Sequence, residues 1–284
     1  MGLIAITGAT GNVGGRVARR LAAVGADHRL VVRDASRVAA LDGVGVAVAE
    51  SYSDTDGMRR ALIGAEVLLL VSGRESANRV EEHKSAVDGA RDAGVERVVY
   101  LSFQGAAPDC TFTFGRDHWH TEAYIRDSGM DFTFLRDNLY QAALVQMVGP
   151  DLVIRGPGGD GRLAAVTHDD VADAAAAALT DAAHAGQTYT LTGPHAVSLA
   201  EAAAEISEAS GRKVSYHAES VEEAYLSREP WGAPAFEVDG WVSSYLAIAA
   251  GDLATVTGDV HALTGHEPQD FRSYLAANPP LLAN

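Results

Sequence analysis

Six short runs of apolar, largely β-branched residues punctuate the first half of the chain: LIAIT at 3–7, LVV at 30–32, VAVA at 46–49, VLLLV at 67–71, VVYLS at 98–102 and FTFL at 132–135. They do not alternate polar with apolar positions, so both faces are predicted to be covered, as in a buried parallel sheet. Between them lie NVGGRVARRLAAV, DTDGMRRAL, ANRVEEHKSAVDGARDAG and RDHWHTEAYIRDSG. Each repeats its apolar positions at helical spacing, and most end near a glycine. Strand–helix alternation over 1–150 predicts a doubly wound α/β domain with right-handed crossovers.

Beyond residue 150 the pattern loosens, and 151–284 reads as a smaller α+β substrate lobe interleaved with the first part. LVIRGPGGDGRLAAV, at 152–166, predicts a β-hairpin across a glycine-rich turn. HDDVADAAAAALTD predicts a helix whose acidic first turn suits the helix dipole. Ser198 and Glu201 have the spacing of a capping box for a helix running through Ile206.

Composition narrows the setting. With 47% hydrophobic residues, 284 residues suffice for one large core, and no run approaches the roughly 20 apolar residues of a membrane span. The start, MGLIAITGATG, has no basic leader, and Ile6 stands where a myristoylation signal needs Ser or Thr. The single Cys110 excludes an intrachain disulfide and a cysteine zinc site. A soluble cytoplasmic protein is expected, with a homodimer left open. A net charge of −16 repels phosphate backbones, so direct nucleic-acid binding is not expected. Lys84 and Lys213 are the only lysines, so arginine supplies nearly all positive charge.

The segment TGATGNVGG, at 7–15, follows the first strand and opens a helix, the context of a phosphate-binding turn. Gly8 permits the tight turn, Gly11 lets the backbone approach a pyrophosphate, and Gly14 allows close packing of helix on sheet. The helix N-terminus then offers free N–H groups to the phosphates. At the end of the second strand, in LVVRDASR, Val32 occupies the place of an NAD-type carboxylate and Arg33 follows. A guanidinium there suits the 2′-phosphate, so NADP(H) is preferred over NAD(H). Asp34 is expected to cap the turn into ASRVAAL.

Together with LVSG, DGARDAGVERVVYLS and TEAYIRDSGMDFTFLRDNLY, these motifs resemble the NmrA-like, atypical branch of the short-chain dehydrogenase/reductases. Within it the likeness is to NAD(P)H-dependent quinone reductases and triarylmethane dye reductases, and TGP, GRKV and LTGHEP carry it into the C-terminal half. The resemblance implies a Rossmann-type fold and an NADPH-dependent oxidoreductase passing hydride to a quinone-like or dye-like acceptor. It puts Gly8, Thr10, Gly11, Asn12 and Val13 around the pyrophosphate and Arg33 on the 2′-phosphate. Ser72 and Gly73 would pass near the adenosine or ribose, and Asn138 and Tyr140 would lie beside the nicotinamide. The branch also contains non-catalytic NADP(H)-sensing regulators, which is the alternative function.

No tyrosine here has a lysine four residues on, so the acid of most short-chain reductases is missing. In the related isoflavone and lignan reductases a lysine precedes the sixth strand, and that place falls on His118. His118 and His120, two apart on a helix of about 100° per residue, point in nearly opposite directions, so no metal is expected. His118, Thr121, Glu122 and Ile125 share one face, assigned to the cleft. His118 is then expected near neutral pH as proton donor, with Glu122 orienting the ring or raising its pKa. The plainer reading is a histidine that only hydrogen-bonds within the helices. Phe103, Phe112, Tyr140, Trp231 and Trp241 offer aromatic faces to a planar acceptor, or simply fill core. Trp119 is assigned to core and His120 to the surface, while His83 and Lys84 are expected to be solvated and His168 to help start its helix.

Overall fold

The computed structural model describes residues 2–38, 43–280 and 282. The six expected strands are all present: β1 Leu3–Ile6, β2 His28–Val32, β3 Gly45–Val48, β4 Ala65–Leu70, β5 Arg97–Phe103 and β6 Asp131–Asp137. The helices among them are α1 Gly14–Ala23, α2 Thr55–Leu62, α3 Arg79–Asp92 and α4 Thr113–Asp127. The remaining elements run α5 Gln141–Gln146, β7 Val153–Gly156, β8 Arg162–Leu163, α6 His168–Thr180, β9 Gln187–Leu191, β10 Val197–Ser198, α7 Leu199–Ser210, β11 Ser215–Ala218, α8 Val221–Arg228, α9 Ala235–Ala250, α10 Asp259–Thr264 and α11 Phe271–Ala277.

The main sheet has the order β3-β2-β1-β4-β5-β6-β9, and every pairing in it is parallel. Order reverses between β1 and β4, the switch point where ligands bind in such sheets. This is the expected α/β, doubly wound Rossmann-type architecture. All seven residues of β5 are buried, which explains the continuous run Val98–Leu101 within it. Alternate side chains serve two cores. Ile4, Ile6, Leu69, Val99 and Leu135 meet α1 and the alanines of α6, whose small side chains let that helix lie close. Ala5, Leu68, Leu70, Tyr100 and Phe134 meet α2, α3 and α4.

The chain past residue 150 returns to the sheet, because α6 packs beside α1 and β9 adds the outer strand on β6. Arg97 at the start of β5 is buried and donates to the carbonyls of Ala178, Leu179 and Asp181, satisfying the C-terminal end of α6. The capping box of Ser198 and Glu201 forms, and its helix continues to Ser210. Asp34 accepts from Ser36 N–H and caps a short turn over Ala35–Arg37. The rest of ASRVAAL, from 39 to 41, lies outside the described residues.

The hairpin expected over 152–166 does not form. β7 pairs with β11 in parallel and β8 pairs with β10 in antiparallel, so the two strands belong to different two-stranded sheets. The glycine-rich loop between them is shaped by packing on α9 instead. A Cβ on Gly161 would lie 2.1 Å from the Ile248 carbonyl oxygen, and one on Gly156 would lie 2.3 Å from the Tyr245 ring. Gly156 and Gly161 therefore mark close approach, while Gly159, at φ +51°, serves the local turn.

Candidate functional site

A cavity of about 360 Å³ opens at the carboxyl ends of β1, β2 and β4. Gly8, Ala9, Thr10 and Gly11 form one wall, Val32 and Arg33 a second, and Val71, Ser72 and Gly73 a third. The glycine turn is built as the sequence requires. Gly8 has φ +62°, and a Cβ on Gly14 would stand 2.4 Å from the Gly8 carbonyl oxygen. Only a residue without Cβ fits there, and this draws the start of α1 against the turn. Asn12 is exposed, and the buried Val13 precedes the first helical residue. No side chain caps α1. The N–H groups of Gly15 and Arg16 donate to the Gly11 and Val13 carbonyls, and among the described residues those of Asn12, Val13 and Gly14 have no hydrogen-bond partner and remain available to an anion.

Arg33 is exposed and forms no hydrogen bond or ion pair among the described residues, while Val32 is buried, as its neighbouring strand positions are. Arg74 and Ser51, which sequence reasoning missed, line the same cavity. So does Tyr52, whose hydroxyl lies 2.7 Å from both Thr7 Oγ1 and the Val71 carbonyl, tying the β1 and β4 ends together. Burial raises its pKa to about 12. Ser51 and Tyr52 belong to no motif and their types alone carry no signal, whereas Arg74 directly follows the Ser72–Gly73 pair.

Behind the third wall is a buried polar cluster. Gly73 N–H donates to His83 Nε2 at 2.7 Å, and Arg79 Nε donates to the Gly73 carbonyl at 2.9 Å. His83 is therefore not solvated as expected: it is fully buried and lies on the same stripe of α3 as Ala86, Val87 and Ala90. That i, i+3, i+4, i+7 spacing was the available signal. Its Nε2 accepts from a backbone N–H, so the proton sits on Nδ1 and points to Thr121 Oγ1 at 2.9 Å. Burial, then the Arg79 charge, lower its pKa to about 3. Lys84, half-buried, pairs with Glu81 at 2.7 Å.

His118 is buried on the predicted face of α4 with Thr121, Glu122 and Ile125, and His120 is exposed. Its Nε2 lies 3.3 Å from Arg79 Nη2 and its Nδ1 lies 2.9 Å from the Tyr100 hydroxyl. A guanidinium only donates, so Nε2 is the acceptor and the neutral ring holds its proton on Nδ1. Burial first, then Arg79, His83 and Arg136, hold its pKa well below the usual histidine range. The expectation of a ring poised near neutral pH is overturned. The expected role of Glu122 is overturned as well: it accepts from Ser102 at 2.6 Å and pairs with Arg136 at 2.7 Å and Arg126 at 3.1 Å. Arg79 is 4% exposed, and its Nη1 has no hydrogen-bond partner among the described residues, facing Asp117 across 3.8 Å.

At the carboxyl end of β6, Asn138 is fully buried and spends both amide hydrogens, on Gln104 Oε1 at 2.8 Å and the Leu253 carbonyl at 2.9 Å. Its side chain has no donor left for a ligand. Tyr140, half-buried, stacks on His168 with ring centroids 3.9 Å apart and planes 11° from parallel. Thr167 caps α6 and His168 is its first residue. The Tyr140 hydroxyl donates to Asp137, a buried carboxyl that sequence reasoning passed over although it ends a buried strand. Phe103 is buried against Phe112, centroids 4.9 Å apart, and lies 6.1 Å from the His118 ring. Trp231 stands apart: 65% exposed, edge-on to Trp241 and outside the cavity lining. Among the described residues no cluster of three or more His, Cys, Asp or Glu is arranged to hold a metal ion, and no helix is long and apolar enough to cross a membrane.

This geometry has close counterparts. Quinone oxidoreductase 2 of Escherichia coli is 32% identical over 270 residues, covering 93% of this chain and 94% of the relative. The structure of an Escherichia coli NADPH-dependent quinone oxidoreductase complexed with NADPH superposes with a TM-score of 0.89 at 31% identity, covering 96% of this chain and 99% of that one. The Citrobacter sp. triphenylmethane reductase complexed with NADP(H) gives 0.83 at 29% identity, covering 96% and 99%. The model of the NmrA-like family matches residues 1–230, well over half the sequence, and the chain therefore belongs to the NmrA-like family.

Proposed function

We propose that the protein is an NADPH-dependent reductase that passes hydride to a planar, quinone-like or dye-like acceptor. The observation that carries this reading is the cavity at the β1–β4 switch point, walled by the glycine turn on one side and by an uncommitted Arg33 on another. Its relatives of similar length include a quinone oxidoreductase and a triphenylmethane reductase. Gly8, Thr10, Gly11, Asn12 and Val13 would surround the pyrophosphate, with the N–H groups of Asn12 and Val13 and the α1 dipole facing it, while the Gly11 N–H closes the turn on the Gly8 carbonyl. Arg33 would pair with the 2′-phosphate, and Ser72 and Gly73 would border the adenosine side. Asn138 would shape the nicotinamide end through its backbone, since its amide is committed, and Tyr140 would flank it.

When bound, NADPH supplies the hydride. The chain contributes position: the acceptor is held against Phe103 and Tyr140, and proximity provides much of the rate. His118 works as a neutral ring that keeps Arg79 directed at the Gly73 carbonyl, not as a cationic acid. In this reading 1–150 is the cofactor-binding part, 151–284 builds the acceptor side, and the setting is the cytoplasm.

The test is oxidation of NADPH and of NADH by the purified protein against quinones, triarylmethane dyes and enones, with a parallel binding titration. Turnover that prefers NADPH is the expected result. Tight NADPH binding with no acceptor consumed would instead favour an NADP(H)-sensing regulator.

A further inference from the structure

Asp137 closes β6 at the carboxyl edge of the sheet, 6% exposed. Its register neighbours Phe103 and Leu191 bring no charge. Among the described residues no lysine or arginine forms an ion pair with it, and its carboxyl is held by the Tyr140 hydroxyl. Arg136, next in the chain, is committed to Glu122, on the α4 side of the sheet. The charged or titratable groups bearing on Asp137 are thus Tyr140 from its own loop, Arg79 from α3 at longer range, and His168 from α6 only through the Tyr140 ring.

We propose that Tyr140 and Asp137 form the proton relay of the reductase, Tyr140 as the group that protonates the reduced acceptor and Asp137 as the reservoir behind it. The inference rests on the reductase reading. When Asp137 is protonated, its O–H donates to Tyr140 Oη and frees the tyrosine hydrogen for the acceptor oxygen. As that oxygen becomes anionic, the Tyr140 O–H bond breaks and a new O–H bond forms on the acceptor. The Asp137 O–H bond breaks in turn, its proton passes to Tyr140 Oη, and the negative charge comes to rest on the carboxylate. Water then returns one proton to Asp137. Hydride plus this proton makes up the two-electron reduction, with no further reactant.

Three observations favour the relay over Tyr140 acting alone. Tyr140 holds its proton well above the usual tyrosine range, through burial and then the neighbouring Asp137 charge, so a tyrosinate beside a carboxylate is disfavoured. Burial raises the Asp137 carboxyl to about 7, against the pull of Tyr140 and Arg79, which makes a proton available near neutrality. The parallel stack on His168 fixes the tyrosine ring, and that imidazole, lowered to about 4 mainly by burial, adds no charge.

The experiment compares wild type with D137N, Y140F and the double variant, after near-native circular dichroism has established folding. In wild type, kcat with an enone acceptor should fall above about pH 7. D137N and Y140F should each lose that limb and turn over at least about 100-fold more slowly at pH 6. The double variant should be no worse than either single one, because the two groups act as a unit. NADPH affinity should stay within a few-fold throughout. A second readout needs no turnover. In cofactor-free protein labelled with ¹³C at aspartate carboxyls, the resonance missing from D137N should titrate near pH 7. It should move upward in Y140F, where the hydrogen bond stabilising the carboxylate is gone. A limb that survives in D137N, or a carboxyl titrating near the ordinary value of about 4, overturns the relay alone. A wild type that consumes no acceptor overturns the reductase reading with it.

Discussion

The backbone N–H of Gly73 and the ring nitrogen Nε2 of His83 are 2.7 Å apart, so one wall of the cavity hangs on a histidine that is stable only when neutral. His83 titrates near 3 in the folded chain and near 6.5 when unfolded. Between those values the unfolded chain binds the extra proton, so stability rises with pH. It is fully present above about 6.5 and is lost as pH falls toward 3, at up to about 1.4 kcal/mol per pH unit. Urea midpoints measured at pH 7.5 and 5 should differ markedly in wild type and less in His83→Gln. Equal slopes in the two proteins would sink the assignment.

The turn at Gly8 leaves no room at Gly14. Gly14→Ala places a methyl 2.4 Å from a backbone oxygen that cannot rotate away. A stability loss of about 1–3 kcal/mol is expected, together with a loss of NADPH binding larger than that seen for Gly258→Ala, whose site has nothing within 4 Å and an ordinary negative φ. Thermal unfolding and a fluorescence titration check both halves.

Arg33 carries the cofactor preference by charge. Removing a charge-assisted hydrogen bond costs about 1.5–3 kcal/mol, or roughly 10- to 100-fold in affinity. Arg33→Ala should weaken NADPH by about that factor, leave NADH within two- to threefold, and reduce the salt dependence of NADPH binding. Equal losses for both cofactors would move the 2′-phosphate contact elsewhere, Arg74 being the nearest alternative on the cavity wall.

His118 bridges Arg79 and Tyr100 as a neutral ring. His118→Ala should lower turnover several-fold while leaving NADPH affinity within a few-fold. His118→Gln should restore most of it, since an amide can also accept from Arg79 and donate toward Tyr100. The pH profile of kcat should keep its position in both variants. A limb that disappears with the histidine would return His118 to the role of acid.

The strands were legible because burial on both faces writes itself as continuous β-branched runs, and the glycine turn because its steric demands fix residue type. β9 was not: QTYTL is half polar, as suits an edge strand with one open flank, so its composition does not announce a partner in β6. The hairpin misreading has the same source, since the partners of β7 and β8 come from far along the chain. In the site, the face of α4 bearing His118 was readable from spacing. The charge state of His118 was not, because Arg79 reaches it across thirty-nine positions of sequence. Asp137 and Tyr140 are three apart, yet only the packing of α6 and β9 around them makes their burial visible.

β9 sets a condition on synthesis. Until residues 187–191 have left the ribosome, the outer edge of β6 has no strand to pair with, and its backbone groups are a template for any extended segment nearby. The buried Arg97 is equally without its acceptors before the carbonyls at 178–181 arrive. A chain stopped near residue 150 would carry the whole glycine turn and still expose a sticky border. Fragments ending there should aggregate, and ones ending past α11, whose Phe271 and Leu275 complete the core against α7, should not.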